Sequence, residues 1–572
     1  MHPDPLATHD VTNQPPPLLE RDVYGGDNVL VEAVGREGAA WAGDDLHALG
    51  RLAGSPEAQL WSEQANTSVP VLRTHDRYGQ RIDRVDYHPA YHELMRVAIG
   101  HGIHAAPWAD DRAGAHVARA AKMVVWYQVD GGHMCPVSMT YSVLPALRQQ
   151  PDLASEWEPG ILSRTYDPTF APPGDKAGLT CGMAMTEKQG GSDVRANTTT
   201  AAPIAGGGPG GEYLLTGHKW FCSAPMSDAF LMLAQAPGGL SCFLTPRWQP
   251  DGTPNVFRIQ RLKDKLGDRS NASSEIELAG TWARMVGDEG RGVRTIIEMV
   301  NHTRLDCSLG SAALMRRGVT EAIHHTSHRD AFGGRLVDKP LMQNVLADLA
   351  VESEAATVAV LWLAGLFDRA RAGDEHAAAL RRLATPVLKY WTCKRAPVHL
   401  AEAMECLGGV GFVEETGLPR LYRQAPVNGI WEGSGNVICL DVLRAIGRSP
   451  ESLDALFGQL HSVAGHDHRL DDAVEALAKD LADPDDLELR ARDLVERLAL
   501  VLQGCLLVAT SPEAVAGAFC ATRLGHQGGR AFGTLPPHTD VAAIVARHAG
   551  VRPWRAWGAG RPPGWGRGRR GA

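Results

Sequence analysis

The stretch Met183-Ala184-Met185-Thr186-Glu187-Lys188-Gln189-Gly190-Gly191-Ser192-Asp193 stands where the periodicity of the chain changes. Upstream, from about Asp27 to Leu147, apolar residues recur at three- and four-residue spacing, as in Tyr91–Ala98 and Val117–Tyr127, and predict helices. Downstream, Tyr213–Gly217, Ala229–Gln235, Ser241–Thr245 and Ser274–Leu278 read as short strands. Gly206–Gly211 reads as a hairpin or insertion; no Lys-Ser/Thr follows it, so it is not a phosphate loop. Helical spacing returns near Gly292 and holds to Ile446, with Pro340 at a first helical position and Leu341, Val345 and Leu349 along one face. The order describes an α+β multidomain chain. An N-terminal helical domain covers 1–179, with residues 1–20 extended on the surface, and a middle β-domain covers 180–288. A second helical domain covers 289–447, a C-terminal helical domain 448–550, and a basic tail predicted to be disordered covers 551–572.

Composition narrows the class. The 572 residues are 44% hydrophobic and 22% charged, ordinary for a soluble globular protein, and the net charge of −9 predicts no polyanion partner by itself. Ten cysteines without a CxxC pair indicate neither a zinc ribbon nor a disulfide framework, and a reducing cytoplasm is the expected compartment. No signal peptide is visible in Met1–Pro5, and the apolar runs near Ala356–Phe367 and Leu498–Ala509 are too short to cross a bilayer. His324 and His328 have four-residue spacing but no third ligand, so no metal site is expected; Trp108, Trp126, Tyr127, His101 and His104 read as core or satisfied surface residues.

Chemistry concentrates at Ile430-Trp431-Glu432-Gly433-Ser434-Gly435-Asn436, which sets one carboxylate between an indole and a run of small residues. Glycines let backbone approach a flat ligand, and a lone carboxylate beside such a surface suits abstraction of a proton next to a carbonyl. An ordinary turn, or a helix N-terminal cap, would use the same residues.

The Met183–Asp193 stretch resembles the Met-Thr-Glu…Gly-Ser-Asp loop of the acyl-CoA dehydrogenase family, and more closely that of its AidB subgroup of adaptive-response flavoproteins that also bind DNA. The same likeness runs through Met183–Thr199, Gly217-His218-Lys219-Trp220-Phe221, Leu262–Gly267, Thr303–Asp306 and Ala425–Arg444, with Asn13-Gln14-Pro15 and Val34–Gly38 near the start. The resemblance implies the family's fold: a helical domain, a β-barrel-like middle domain, a four-helix bundle and a further helical domain. It also implies FAD. Met183, Met185 and Thr186 would meet the flavin, Ser192 the pyrophosphate and Trp220 the isoalloxazine, with Cys222 and Ser223 at its edge. Cys222 stands where the family has Thr. Arg329, Phe332, Gln343, Gly408, Gly409 and Gly411 resemble dinucleotide contacts given across a subunit boundary, which implies a homotetramer. The glycine run follows a helical stretch, so a Rossmann fingerprint fails its own context. Glu432 becomes the base that removes the α-proton of an acyl-CoA, flanked in the ligand site by Ile430, Trp431, Gly433, Ser434 and Asn436; the family's other base position is Thr303, which cannot serve.

Two functions of different class follow: a dehydrogenase of short or branched acyl-CoA, and a flavoprotein that binds double-stranded DNA with residual enzyme activity. An acyl-CoA oxidase fits less well, because the chain stops at Arg-Gly-Ala. Residues 471–496 hold ten acids, whereas from Ala521 onward nine arginines face Asp540 alone. Arg444, Arg523, Arg530 and Arg547 are the expected DNA contacts, on the principle that arginines on one face neutralise phosphates without reading sequence. A solvated helix face is the plainer account of such a run.

Overall fold

A computed structural model describes residues 6–550; the tail 551–572, expected to be disordered, lies outside the described residues. The N-terminal domain is helical, as the spacing predicts, around α1 (Ala115–Tyr127) and α2 (Met134–Leu147), which are almost entirely buried. Its one β element was not expected. Strands β1 (Val71–His75) and β2 (Arg81–Asp86) form an antiparallel hairpin across the turn Asp76–Gln80, where Asp76 Oδ1 accepts from the Tyr78 and Gln80 amides. β2 sets Ile82 and Val85 among four charged residues and β1 has an exposed Val71 beside a half-buried Leu72, a pattern too short and too polar to stand out from its helical surroundings.

The middle domain holds β3 (Cys181–Ala184), β4 (Thr200–Pro203), β5 (Glu212–Ser223), β6 (Ala229–Ala236), β7 (Gly239–Pro246), β8 (Arg258–Leu262) and β9 (Ser273–Val286). They pair in the order β3-β6-β4-β5-β9-β7, and a further β6–β7 pairing curls the sheet into a small barrel-like body. All four sequence-predicted strands fall inside β5, β6, β7 and β9, and Gly206–Gly211 is the connection of the β4–β5 hairpin.

The second helical domain is built from α3 (Gly292–His328), α4 (Pro340–Arg371), α5 (Glu375–Glu405), α6 (Leu418–Asn428) and α7 (Gly435–Arg448). Pro340 opens α4 as expected. α4 is 32 residues long and apolar enough to cross a membrane by composition, but its apolar window is entirely buried against neighbouring helices, as a bundle's central helix must be. The C-terminal domain follows, with α8 (Leu487–Thr510) as its longest helix. Asp483 and Pro484, a pair that could serve as a cap and first helical residue, do not open it: α8 begins at Leu487 behind a left-handed Asp486, so both belong to the preceding loop. Pro512 is the cap of the helix Glu513–Phe519.

Where the first domain meets the bundle, the core contains ionisable groups. Arg119 pairs with Asp306 in full burial and lies 3.7 Å over the Tyr141 ring. Beside it His116 Nδ1 is 2.6 Å from Tyr141 Oη, and His302 Nδ1 donates to the Glu298 carbonyl. Burial holds His116 well below the ordinary histidine range, His302 at about 3 and both His104 and His399 at about 4. These imidazoles are neutral when folded, and their unfolded values lie near 6.5, so their contribution is present above pH 6.5 and is lost as pH falls toward the folded values. Each costs about 1.4 kcal/mol per pH unit in that window. The thermal unfolding midpoint is expected to fall as pH drops from 7 to 5, with a shallower slope in His302→Leu. Equal slopes in the two proteins would rule the account out.

Candidate active site

Glu432 sits in the turn between α6 and α7, with φ +57 and a buried carboxyl. It is not the helix cap. Ser434 takes that position before Gly435, and the turn carrying Glu432 is held from outside. Lys389, on α5, donates to the Trp431 carbonyl at 2.9 Å and to the Gly433 carbonyl at 2.6 Å. Arg304, on α3, donates from Nε to the Glu432 carbonyl at 3.0 Å and is fixed by Asp441, which Arg382 also pairs. A left-handed conformation costs a non-glycine residue of order 1–3 kcal/mol and persists only when its surroundings over-determine it, as these two cations do here. Trp431 Nε1 donates to Asn428, which reaches Tyr127 Oη in turn.

The Glu432 carboxyl is the outcome of that bracing. Burial raises its pKa, against the opposing effects of a hydrogen bond from Thr303 and the charges of Arg304 and Lys389. Its Oε2 is buried without a hydrogen-bond partner. An unpaired buried carboxylate oxygen is costly unless a ligand completes it, so the site is shaped for a guest bearing an acidic hydrogen. Thr303, at the alternative base position, thus touches the base instead of replacing it.

The Met183–Asp193 loop is tied down by a residue whose part the sequence did not reveal. Glu187 is fully buried and accepts from Lys219 Nζ (2.8 Å), the Thr198 amide (2.7 Å) and hydroxyl (3.0 Å), the Thr199 amide (3.2 Å) and Gln189 Nε2 (2.8 Å). These bonds pull its pKa well down despite burial. Lys219 also donates to the Leu233 carbonyl, so loop, β5 and β6 are one unit, and the Trp220 amide donates to the Thr186 carbonyl at 2.8 Å. Gly191 has to be glycine: a Cβ there would lie 2.4 Å from Thr186 Oγ1.

Met183 and Met185 lean outward from β3 and its continuation, and they pack in one cluster with Trp431, Cys135, Met139 and Ala224. Signature loop, first domain and Glu432 turn therefore meet. Trp220 is half-buried, with Lys263 Nζ 3.5 Å from its ring centre. Ser223 Oγ lies 3.2 Å from Ser273 Oγ. The Cys222 expectation needs correcting. Its thiol is fully buried in the β-domain core with Phe230 and Ile276, and that burial pushes it up to about 12, so no side-chain contact to a ligand replaces the family's Thr. Ser223 is the hydroxyl at that edge. Ser192 and Asn436 are exposed, and Ile430 is 65% exposed. Together the half-buried Met183, Met185, Thr186 and Trp220, and the orphaned Glu432 oxygen, fit a large flat group with an acyl thioester beside it.

The other expected dinucleotide contacts lie at the ends of bundle helices. Arg329 follows α3 and donates to the Asn13 carbonyl, while Asn13 exchanges hydrogen bonds with the Asp330 backbone. The N-terminal Asn13-Gln14-Pro15 motif is thus a clip on the Arg329–Gly333 segment. Phe332 is 92% exposed, Gln343 lies in the first turns of α4, and Gly408 and Gly409 are exposed. A Cβ on Gly411 would lie 2.1 Å from the Met404 carbonyl, which excludes any other residue.

The arginines do not line one surface. Arg523 points inward to Asp348 (2.6 Å) and Glu352 (3.1 Å), and Arg547 is clamped between Glu354 (3.0 Å) and Glu32 (2.5 Å). Each is neutralised, because a buried guanidinium must be paired. Of the four expected contacts, only Arg444 and Arg530 are exposed. Among the described residues no group of three or more His, Cys, Asp or Glu could hold a metal; His324 is turned to the Pro16 carbonyl and His328 to that of His324.

The geometry is that of a flavin-type acyl-thioester site between a helical domain, a β-barrel and a bundle. The N-terminal domain of the adaptive response protein AidB matches residues 13–168, and the middle and C-terminal domains of acyl-CoA dehydrogenase match 182–281 and 290–447. The chain is 44% identical to the putative acyl-CoA dehydrogenase AidB of Escherichia coli (strain K12) over 91% of its own length and 95% of that protein's. Among solved structures, Caenorhabditis elegans ACDH-11 in complex with C11-CoA superposes with a TM-score of 0.83 at 29% identity, over 91% of this chain and 94% of that one. An acyl-CoA dehydrogenase complexed with FAD from Bacillus anthracis shares the fold at TM-score 0.60 and 19% identity, over 80% of each chain. The chain belongs to the acyl-CoA dehydrogenase family, with an AidB-type N-terminal domain.

Proposed function

We propose that this protein is an FAD-dependent acyl-CoA dehydrogenase of the AidB type in which Glu432 is the catalytic base. The observation that carries it is the buried, unpartnered Oε2 of Glu432 on a turn braced by Lys389 and Arg304. Met183, Met185, Thr186, Trp220 and Ser223 would hold the flavin ring, which supplies an acceptor for hydride when bound. Glu432 takes the α-proton of the acyl-CoA. Removal from water raises the carboxylate's basicity, and the lysine and arginine hold it in place without pairing the reactive oxygen. A short or branched acyl group is the substrate class, and kinship with a protein seen bound to C11-CoA supports a thioester of CoA. The test is anaerobic bleaching of the flavin by a panel of acyl-CoA esters, and an unbleached flavin with every ester would reject it. A homotetramer is the assembled form, a reading supported by Phe332 and Phe412, 92% and 83% exposed, which a free monomer would leave in water.

Binding of double-stranded DNA in the adaptive response to alkylation is a second reading, supported by kinship with AidB and by the exposed Arg444 and Arg530. Such binding rests on phosphate contacts and weakens steeply with salt. Glu substitution of Arg444 and Arg530 is expected to lower affinity for a random duplex and to flatten its salt dependence, while acyl-CoA turnover stays unchanged. Unchanged binding there, with loss only on deletion of 551–572, would assign the contact to the tail. Arg523→Glu is no probe of DNA: it would oppose Asp348 and Glu352 and destabilise the fold by about 3–5 kcal/mol.

A further inference from the structure

The turn between β8 and β9 carries a lysine and an aspartate that the mechanism above does not use. Asp268 is 4% exposed, adopts φ +50, and neither carboxylate oxygen has a hydrogen-bond partner. Gly131 of the first domain packs on it so closely that a Cβ there would lie 2.9 Å from Oδ1. Lys265 donates to the Asn271 carbonyl at 2.9 Å and to Ser273 Oγ at 3.2 Å, and Ser273 Oγ is 3.2 Å from Ser223 Oγ. The buried Cys135 thiol lies close enough to feel the charges of Lys265, Asp268 and Glu432. A short polar row thus runs from the lysine to the residue at the flavin edge and on toward the base.

We propose that Lys265 and Asp268 are positioning residues that set the electrostatic potential of the active-site chamber, with the lysine acting through Ser273 and Ser223 and the aspartate offsetting it. The proposal rests on the flavin site described above. A positive charge beside an electron acceptor favours its reduced, more anionic form, and does so more strongly where water is excluded. Asp268 decides how much of that charge is felt.

The carboxyl of Asp268 titrates near neutrality: burial pushes it up to about 7, the Asp130 carboxylate adds to the rise, and Lys265 and Arg420 oppose it. Tyr127 and Cys135 also face it, and Arg269 faces Lys265. Asp130 is itself committed to His133, Ser270 and Arg420. Below neutrality Asp268 is uncharged and the lysine is uncompensated; above it the pair is neutral. The expected signature is a flavin midpoint potential whose dependence on pH carries an extra step near 7.

The experiment measures that potential spectroelectrochemically on the purified FAD-loaded protein. Asp268→Asn should match wild type at pH 6. At pH 8 it should favour reduced flavin by about tenfold, or about 30 mV for a two-electron couple. Lys265→Met should disfavour reduced flavin at both pH values, and Lys265→Arg should restore it. FAD content and thermal midpoint are recorded for each variant, because a merely structural knot would move those and leave the pH step in place. Identical curves for wild type and Asp268→Asn, or an equal displacement at both pH values, overturn the proposal. Wild-type protein that binds no reducible flavin overturns the site reading beneath it, a separately visible result.

Discussion

Glu432→Gln is expected to abolish acyl-CoA-dependent flavin bleaching while leaving the flavin bound. The substitution keeps the shape of a side chain whose backbone is held by Lys389 and Arg304, so the turn should survive it. What it removes is the proton acceptor. A positioned general base contributes on the order of 10²–10⁴-fold, and the reduction rate under single turnover should fall by that factor. Glu432→Asp draws the carboxylate back by one methylene and should lie between the two. A Gln variant that bleaches within about threefold of wild type would mean that the proton leaves by another route. Because the folded carboxyl titrates above its ordinary value, the rate should decline as pH falls through that raised pKa, and the decline should be absent from the residual rate of the Gln variant.

The second large effect is expected at Glu187→Ala. Five hydrogen bonds converge on this carboxylate, and its removal leaves the Lys219 ammonium buried with only the Leu233 carbonyl. Breaking one side of a buried pair costs about 3–5 kcal/mol, which for a domain of this size lowers Tm by roughly 10 °C. The damage should reach the ligand. The loop carrying Met185 and Thr186 folds around Glu187, and Trp220 is pinned to the Thr186 carbonyl in the same knot. Gel filtration should therefore separate flavin from the variant under conditions where wild type retains it. Lys219→Met in the Glu187→Ala background, which removes the stranded charge, should recover part of the stability without restoring the flavin. A Tm within 2 °C of wild type would show that the loop is held by other means.

Much of this was written in local pattern. The switch from helical to alternating spacing near Thr180 and back near Gly292 reflects backbone periods of 3.6 and 2, which each segment carries alone. The signature loop and the Trp-Glu-Gly turn are contiguous in sequence, so their kinship could be read before any packing was known. The hairpin β1–β2 escaped because its strands are short, charged and set among helices. Side-chain direction escaped for a different reason. Cys222 lies beside a bulge in the β5–β9 pairing, and only that register turns its thiol into the barrel.

By itself the sequence carried the order of helical and β segments and the family likeness, and it pointed to Glu432 as the proposed base, since each rests on residues adjacent along the chain. It could not determine which charges are free. Arg523 and Arg547 look like a basic surface in composition, yet acids from α4 and from the first helical segment, 171 to 515 positions away, close on them. Lys389, Arg304 and Lys219 likewise act through partners brought in by the fold, 14 to 137 positions away. A buried charge takes its properties from whatever lies within a few ångströms, so only the tertiary structure could decide which acid stays unpaired, and at Glu432 it leaves one oxygen without a partner.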